Sequence, residues 1–117
     1  MEDVITKNVF QIVGNGTCVE ASDGDKVYDV IYQFIEEKHK VVLSFLNVTM
    51  LTSAFLNNAI GKLYKDFSED EVRTYLSVSD LDVADTALLK KVVKFAKSYY
   101  KNPERLEASI KEVLGDE

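Results

Sequence analysis

Residues Val41-Val42-Leu43-Ser44-Phe45-Leu46 form a nearly unbroken apolar run, too short for a core helix and opening on two β-branched side chains. Such a run is a strand covered on both faces. It belongs at the centre of a sheet and obliges the rest of the chain to supply a layer on each side of it. Ser44 is its one polar member. After Asn47-Val48-Thr49 the period changes: Leu56, Ala59, Ile60, Leu63 and Phe67 fall on one helical stripe, with Asn57, Asn58, Gly61, Lys62 and Lys65 on the other side. A buried strand, a short turn and an amphipathic helix therefore occupy residues 41 to 64, and Thr52 and Ser53 stand where the helix begins. A helix N-terminus carries unpaired backbone N–H groups and a partial positive charge, so it suits a capping hydroxyl or a phosphate. Gly61 inside a helix costs about 1 kcal/mol relative to alanine, which implies close packing or a close approach at that point.

Upstream, Val4 to Val13 favours extended structure, Gly14-Asn15-Gly16 interrupts it, and Thr17-Cys18-Val19-Glu20 is extended again, the pattern of a β-hairpin. The glycines lack the following Lys and Ser/Thr of a P-loop and the third Gly of a dinucleotide fingerprint, so they read as a plain turn. Ser22 and Asp25 have the form of a capping box before a helix with Val27, Val30, Ile31, Phe34 and Ile35 on one stripe, closed by Glu36-Glu37-Lys38-His39-Lys40. Downstream, Ser68-Glu69-Asp70-Glu71 reads as an acidic connection and Val72 to Val78 as an alternating strand. Asp82 and Asp85 cap a helix running to about Lys101 along Leu88, Leu89, Val92, Val93, Ala96 and Tyr99. Asn102-Pro103 opens a last helix with Leu106, Ile110, Val113 and Leu114 before Gly115. The order hairpin, helix, strand, helix, strand, helix, helix predicts an α/β fold. Its mixed β-sheet begins with an N-terminal hairpin and carries helices packed against it, in one domain spanning residues 1–117.

The 14 basic and 20 acidic residues leave a net charge of −6, the wrong sign for a protein that binds the nucleic-acid backbone. The single cysteine, Cys18, cannot form an internal disulfide, and no apolar run reaches the length of a signal-peptide core or a membrane span. A cytoplasmic protein without a membrane partner is expected. His39 has no second histidine or cysteine at metal-ligand spacing, so neither a metal nor another cofactor is expected. Nothing brings Cys18 in a strand to His39 at a helix exit as nucleophile and base, and the carboxylates fall in turns and helix starts, where capping and solubility explain them. The expectation is a non-enzymatic protein. Two rival readings remain: a small-ligand or nucleotide-binding sensor that uses the same helix N-terminus as an anion site, and a hydrolase built on the scattered acids.

The run Val41 to Val48, followed by Leu51-Thr52-Ser53-Ala54-Phe55-Leu56-Asn57-Asn58-Ala59-Ile60-Gly61-Lys62-Leu63-Tyr64, resembles the central segment of STAS-like domains, relatives of the bacterial anti-sigma factor antagonists. It is most similar to a branch in which a Gly-Thr strand and a first helix precede that segment, matched here by Gly16-Thr17 and the helix after Ser22. The resemblance covers about residues 10 to 80. It implies a regulatory protein-interaction domain that binds a histidine-kinase-like ATPase or anti-sigma factor. In the antagonists a serine or threonine at the start of this helix is phosphorylated by that ATPase, and the phosphorylated form releases it. The matching positions are Ser53 and Thr52, with partner docking expected at Thr49, Asn57, Asn58, Gly61 and Lys62. This chain departs from the antagonist pattern at Ser44-Phe45 in place of Asp-Phe, at Ala54 and Phe55 after the candidate phosphoacceptors, and at Asn57-Asn58 in place of an acidic pair.

Overall fold

The computed structural model describes residues 4–101. Strand β1 (Ile5–Asn8) leads into a short helix α1 (Val9–Val13), then strand β2 (Thr17–Cys18) and the long helix α2 (Ala21–Glu36). Strand β3 (Val41–Ser44) follows, then β4 (Met50–Leu51) and a helical run made of α3 (Ser53–Leu56), a π-helical turn (Asn57–Gly61) and α4 (Leu63–Asp66). Helix α5 (Glu69–Tyr75), strand β5 (Leu76–Ser79) and helix α6 (Val83–Lys101) complete it. The last helix expected from Asn102-Pro103 onward lies outside the described residues.

As the apolar run requires, β3 is the central strand of a three-stranded sheet ordered β1-β3-β5. Both pairings are parallel, with Ile5 opposite Val41 and Val41 opposite Leu76. Val41, Leu43 and Phe45 are buried, and so is Ser44, at 5 % exposure. A buried hydroxyl needs partners, and Ser44 has two: its Oγ donates to Asp80 Oδ2 at 2.6 Å and accepts the Leu46 N–H at 3.2 Å. The polar break in the strand thus ties the ends of β3 and β5 together.

The N-terminal hairpin is not formed, and every strand pairing among the described residues is parallel. Asn8 ends β1 because its side chain accepts the Gln11 N–H and caps α1, which places Val9 and Val13 one turn apart, both buried. Gly14, in the left-handed region at φ 100°, stops that helix, and its N–H returns to the Phe10 carbonyl. Burial of one apolar face therefore overrides the β-propensity of these side chains. Strand β2 pairs instead with β4, Thr17 opposite Met50 and Cys18 opposite Leu51.

Two further expectations shift. Helix α2 starts at Ala21 with no side-chain cap, so the Ser22–Asp25 box does not form, although its stripe buries Val27, Ile31 and Ile35. The strand expected from Val72 begins only at Leu76, because Ser68 and Glu71 form a reciprocal capping box that nucleates α5 and turns Val72 inward. The α6 start is as expected, with the Asp82 carboxylate accepting the Asp85 N–H at 2.7 Å.

Helix α2 packs against α3 and the π-helical turn, and Gly24 sets their separation. A Cβ on residue 24 would overlap the Phe55 carbonyl oxygen and crowd Asn58 Cβ at 3.0 Å and Ala59 N at 3.1 Å. In an ordinary helix Gly→Ala stabilises by about 1 kcal/mol. Here Gly24→Ala is expected to destabilise the fold by about 2 kcal/mol in urea unfolding, because backbone, not a side-chain tip, must move aside. A gain in stability would contradict the close contact.

Candidate functional site

The segment from Thr49 to Lys62 holds every phosphoacceptor and docking residue that the resemblance implies, and the structure divides them sharply. Thr52 is the N-cap of α3, with extended backbone and a side chain that accepts the Phe55 N–H at 3.2 Å. The same hydroxyl donates to the Val19 carbonyl at 2.7 Å, and the Thr52 N–H reaches the Cys18 carbonyl at 3.2 Å. Thr52 therefore joins the helical run to the segment after β2 and has no spare proton to give. Ser53, one residue on, is exposed, and its hydroxyl has no hydrogen bond among the described residues.

Ser53 stands on the rim of a groove of about 560 Å³ between α3 and α6, lined by Ser53, Ala54, Asn57, Leu88, Lys91, Val92 and Phe95. Its floor is largely apolar, and Phe95 is 51 % exposed beside it. Toward the C-terminal end of α6 a smaller hollow of about 210 Å³ continues past Asn57 and Phe95 to Tyr99 and Tyr100. The groove could not be read from the sequence, because its α6 wall is brought to Ser53 by tertiary packing alone.

The exposed face expected for Asn57, Asn58, Gly61 and Lys62 is split by the helices on either side. Toward α6 lie Asn57, which stays exposed, and Gly61, which is buried. A Cβ on residue 61 would meet Asn57 Oδ1 at 2.8 Å and Ala96 Cβ at 3.5 Å, so the glycine serves internal packing and is no part of an outer surface. The π-helical turn, closed by the Lys62 N–H on the Asn57 carbonyl at 3.0 Å, holds these two positions together. Toward α2 lie Asn58 and Lys62. Both donate to Asp25 Oδ1, at 3.1 and 2.7 Å, and Lys62 Nζ sits 4.5 Å from the centroid of the Tyr28 ring. Thr49 is exposed in the preceding turn, its Oγ1 on the Gly16 carbonyl at 3.3 Å, and it does not line the groove. Of the residues expected there, Ser53 and Asn57 are thus the two that are exposed and line the groove, with Ala54 between them.

Elsewhere, burial, with the Asp23 carboxylate as the second cause, pushes the Cys18 thiol up to about 11, so the thiolate nucleophile is disfavoured. Among the described residues no group of three His, Cys, Asp or Glu side chains is placed to hold a metal ion. No described helix is long and apolar enough to cross a membrane.

A family model described as a STAS-like domain of unknown function (DUF4325) matches residues 23–86, more than half of the chain. The match contains β3, β4 and the whole helical run from Ser53 to Asp66, and it ends before the part of α6 that walls the groove. No curated protein and no solved structure matches the chain.

The contact of Asp25 with Lys62 and Asn58 has a pH signature. The Lys62 ammonium, chiefly through its hydrogen bond, holds the Asp25 carboxyl below its usual 3.8, with burial opposing it and the Lys62 charge and the Asn58 amide adding to it. A carboxyl with a lowered folded pKa stabilises fully above its unfolded value and loses that contribution as pH falls through the folded one. Asp25→Asn is therefore expected to lower stability at neutral pH, with the gap from wild type closing as urea unfolding is repeated below 3.8. A gap that stays constant into acid would contradict the pairing.

Proposed function

The chain belongs to the family of STAS-like domains of unknown function, and from that premise we propose that it is a non-enzymatic regulatory module that docks a protein partner beside Ser53 and is switched by phosphorylation of that serine. The observation that carries this reading is the contrast between two adjacent hydroxyls. Thr52 is spent on the Val19 carbonyl and the Phe55 N–H, whereas Ser53 is exposed on the rim of an apolar groove. A kinase could take Ser53 without disturbing the fold, while phosphorylating Thr52 would remove the proton it donates to the Val19 carbonyl.

A phosphate on Ser53 would bring about −1.5 to −2 charges to the positive end of the helical run. It would share the groove with Lys91. The fold tolerates it, and the docking surface changes from apolar with a lysine on its wall to anionic. Unmodified protein binds its partner and the phosphorylated form releases it. By likeness to the anti-sigma factor antagonists, the partner is a histidine-kinase-like ATPase or an anti-sigma factor, and a cytoplasmic setting supplies the ATP. A nucleotide or small-ligand sensor using the same helix start has less support, because the Phe55 N–H that would receive an anion already binds Thr52.

The test is incubation with purified histidine-kinase-like ATPases from the same cell and magnesium ATP, followed by intact-mass measurement, site mapping and size-exclusion chromatography. One phosphate on Ser53, none on Ser53→Ala, and a complex made only by the unmodified protein are expected. Absence of both phosphate transfer and complex formation with every one of these ATPases would overturn the proposal.

A further inference from the structure

We infer that the groove between α3 and α6 receives an acidic amphipathic helix of the partner, about three turns long, with its apolar stripe on Phe95, Val92 and Leu88 and its carboxylates against Lys91 and Lys94. The inference deepens the docking reading above. It rests on that reading for the location of the surface and not for phosphorylation.

The shape comes first. The groove runs along α6 from Leu88 to Phe95 and continues through the second hollow to Tyr99. At 1.5 Å per residue that is roughly 16 Å, three turns of a helix. One wall is α6 and the other is the start of the Ser53–Asp66 helical run, so a third helix can lie between them and bury an i, i+4, i+7 stripe. The exposed Phe95 ring gives such a stripe an aromatic anchor.

Charge then selects the occupant. Lys91 lines the groove, and Lys94, three residues on, is exposed next to Lys91 on the outer side of α6. Among the described residues these lysines form no ion pair, in contrast to Lys97, whose Nζ lies 2.6 Å from Glu69 Oε2. The facing wall, Ser53, Ala54 and Asn57, is uncharged. A chain with net charge −6 thus places, among its described residues, a lysine without an ion pair on the wall of an apolar groove. Opposite charge at such a rim favours encounter and register, and like charge excludes wrong partners. The acidic residues Asp82 and Asp85 sit at the α6 start, before Leu88, so the occupant's carboxylates belong toward Lys91 and Lys94.

The test uses the full chain and two fluorescein-labelled synthetic peptides of about four turns, each with leucine at i, i+4, i+7 and i+11, one flanked by glutamates and one by lysines. Fluorescence anisotropy at physiological salt is expected to show saturable binding of the glutamate peptide and at least about tenfold weaker binding of the lysine peptide. The Lys91→Glu/Lys94→Glu double variant should invert that preference. Phe95→Ala, a change at an exposed side chain checked for folding by circular dichroism, should abolish binding. No saturation at about 1 mM glutamate peptide, equal affinity for both peptides, or indifference to Phe95→Ala would overturn the inference. So would a chain that dimerises through the groove, or peptide binding seen only after residues beyond Lys101 are removed. If the glutamate peptide binds while no ATPase phosphorylates Ser53, the switch falls and the inference stands; phosphate transfer without peptide binding gives the reverse.

Discussion

One threonine hydroxyl fixes where the helical run starts. Strands β2 and β4 pair over only two residues each, too few to hold a register alone. The Thr52 side chain extends that pairing by gripping the Val19 carbonyl and the Phe55 N–H, and its backbone N–H adds the Cys18 carbonyl. Each such bond contributes about 1 kcal/mol net, and leaving a buried partner unmade costs more. Because Thr52 occupies the N-cap, Ser53 is obliged to be the first helical residue, with its side chain outward. The free hydroxyl at the groove is thus a by-product of the anchored one.

The flanking helices then decide how much of the surface stays available. Gly24 lets α2 approach the Phe55 carbonyl, and at that distance Asp25 reaches Asn58 and Lys62. Asp25 is half-exposed, so the ion pair itself adds little stability and chiefly fixes the facing of the two helices. On the other flank, Ala96 of α6 closes over Gly61. Both sides of the helical run are consumed by packing along most of its length. At its start, between α3 and α6, the groove opens between Ser53 and Phe95.

The elements readable in the sequence are those whose burial is expressed locally. The Val41–Ser44 strand declares itself by continuous apolarity, and α6 by the Asp82 cap and a regular stripe. The misread elements are those where a side-chain hydrogen bond or a distant backbone outvotes propensity. Asn8 and Gly14 bracket α1 against a run of β-formers, and the Ser68/Glu71 pair carried a capping-box signal that its acidic surroundings concealed. The sequence marks Gly61 as a position of close packing or close approach, and its partner is α6, not a visitor from outside. Gly24 had no such mark, since nothing near it in sequence announces the Phe55 carbonyl. The groove and the Asp25–Lys62 contact, made between residues far apart in the chain, belong to tertiary structure and have no local signature.

The account turns on a division of labour between adjacent hydroxyls, and unfolding free energies of two single variants test it most directly. Thr52→Ala is expected to lose about 1–2 kcal/mol through the cap and the orphaned Val19 carbonyl, whereas Ser53→Ala should stay within about 0.5 kcal/mol of wild type. Equal losses from the two variants, or a larger loss from Ser53→Ala, would mean that Ser53 is part of the scaffold and not the free position on which the docking and switching account depends.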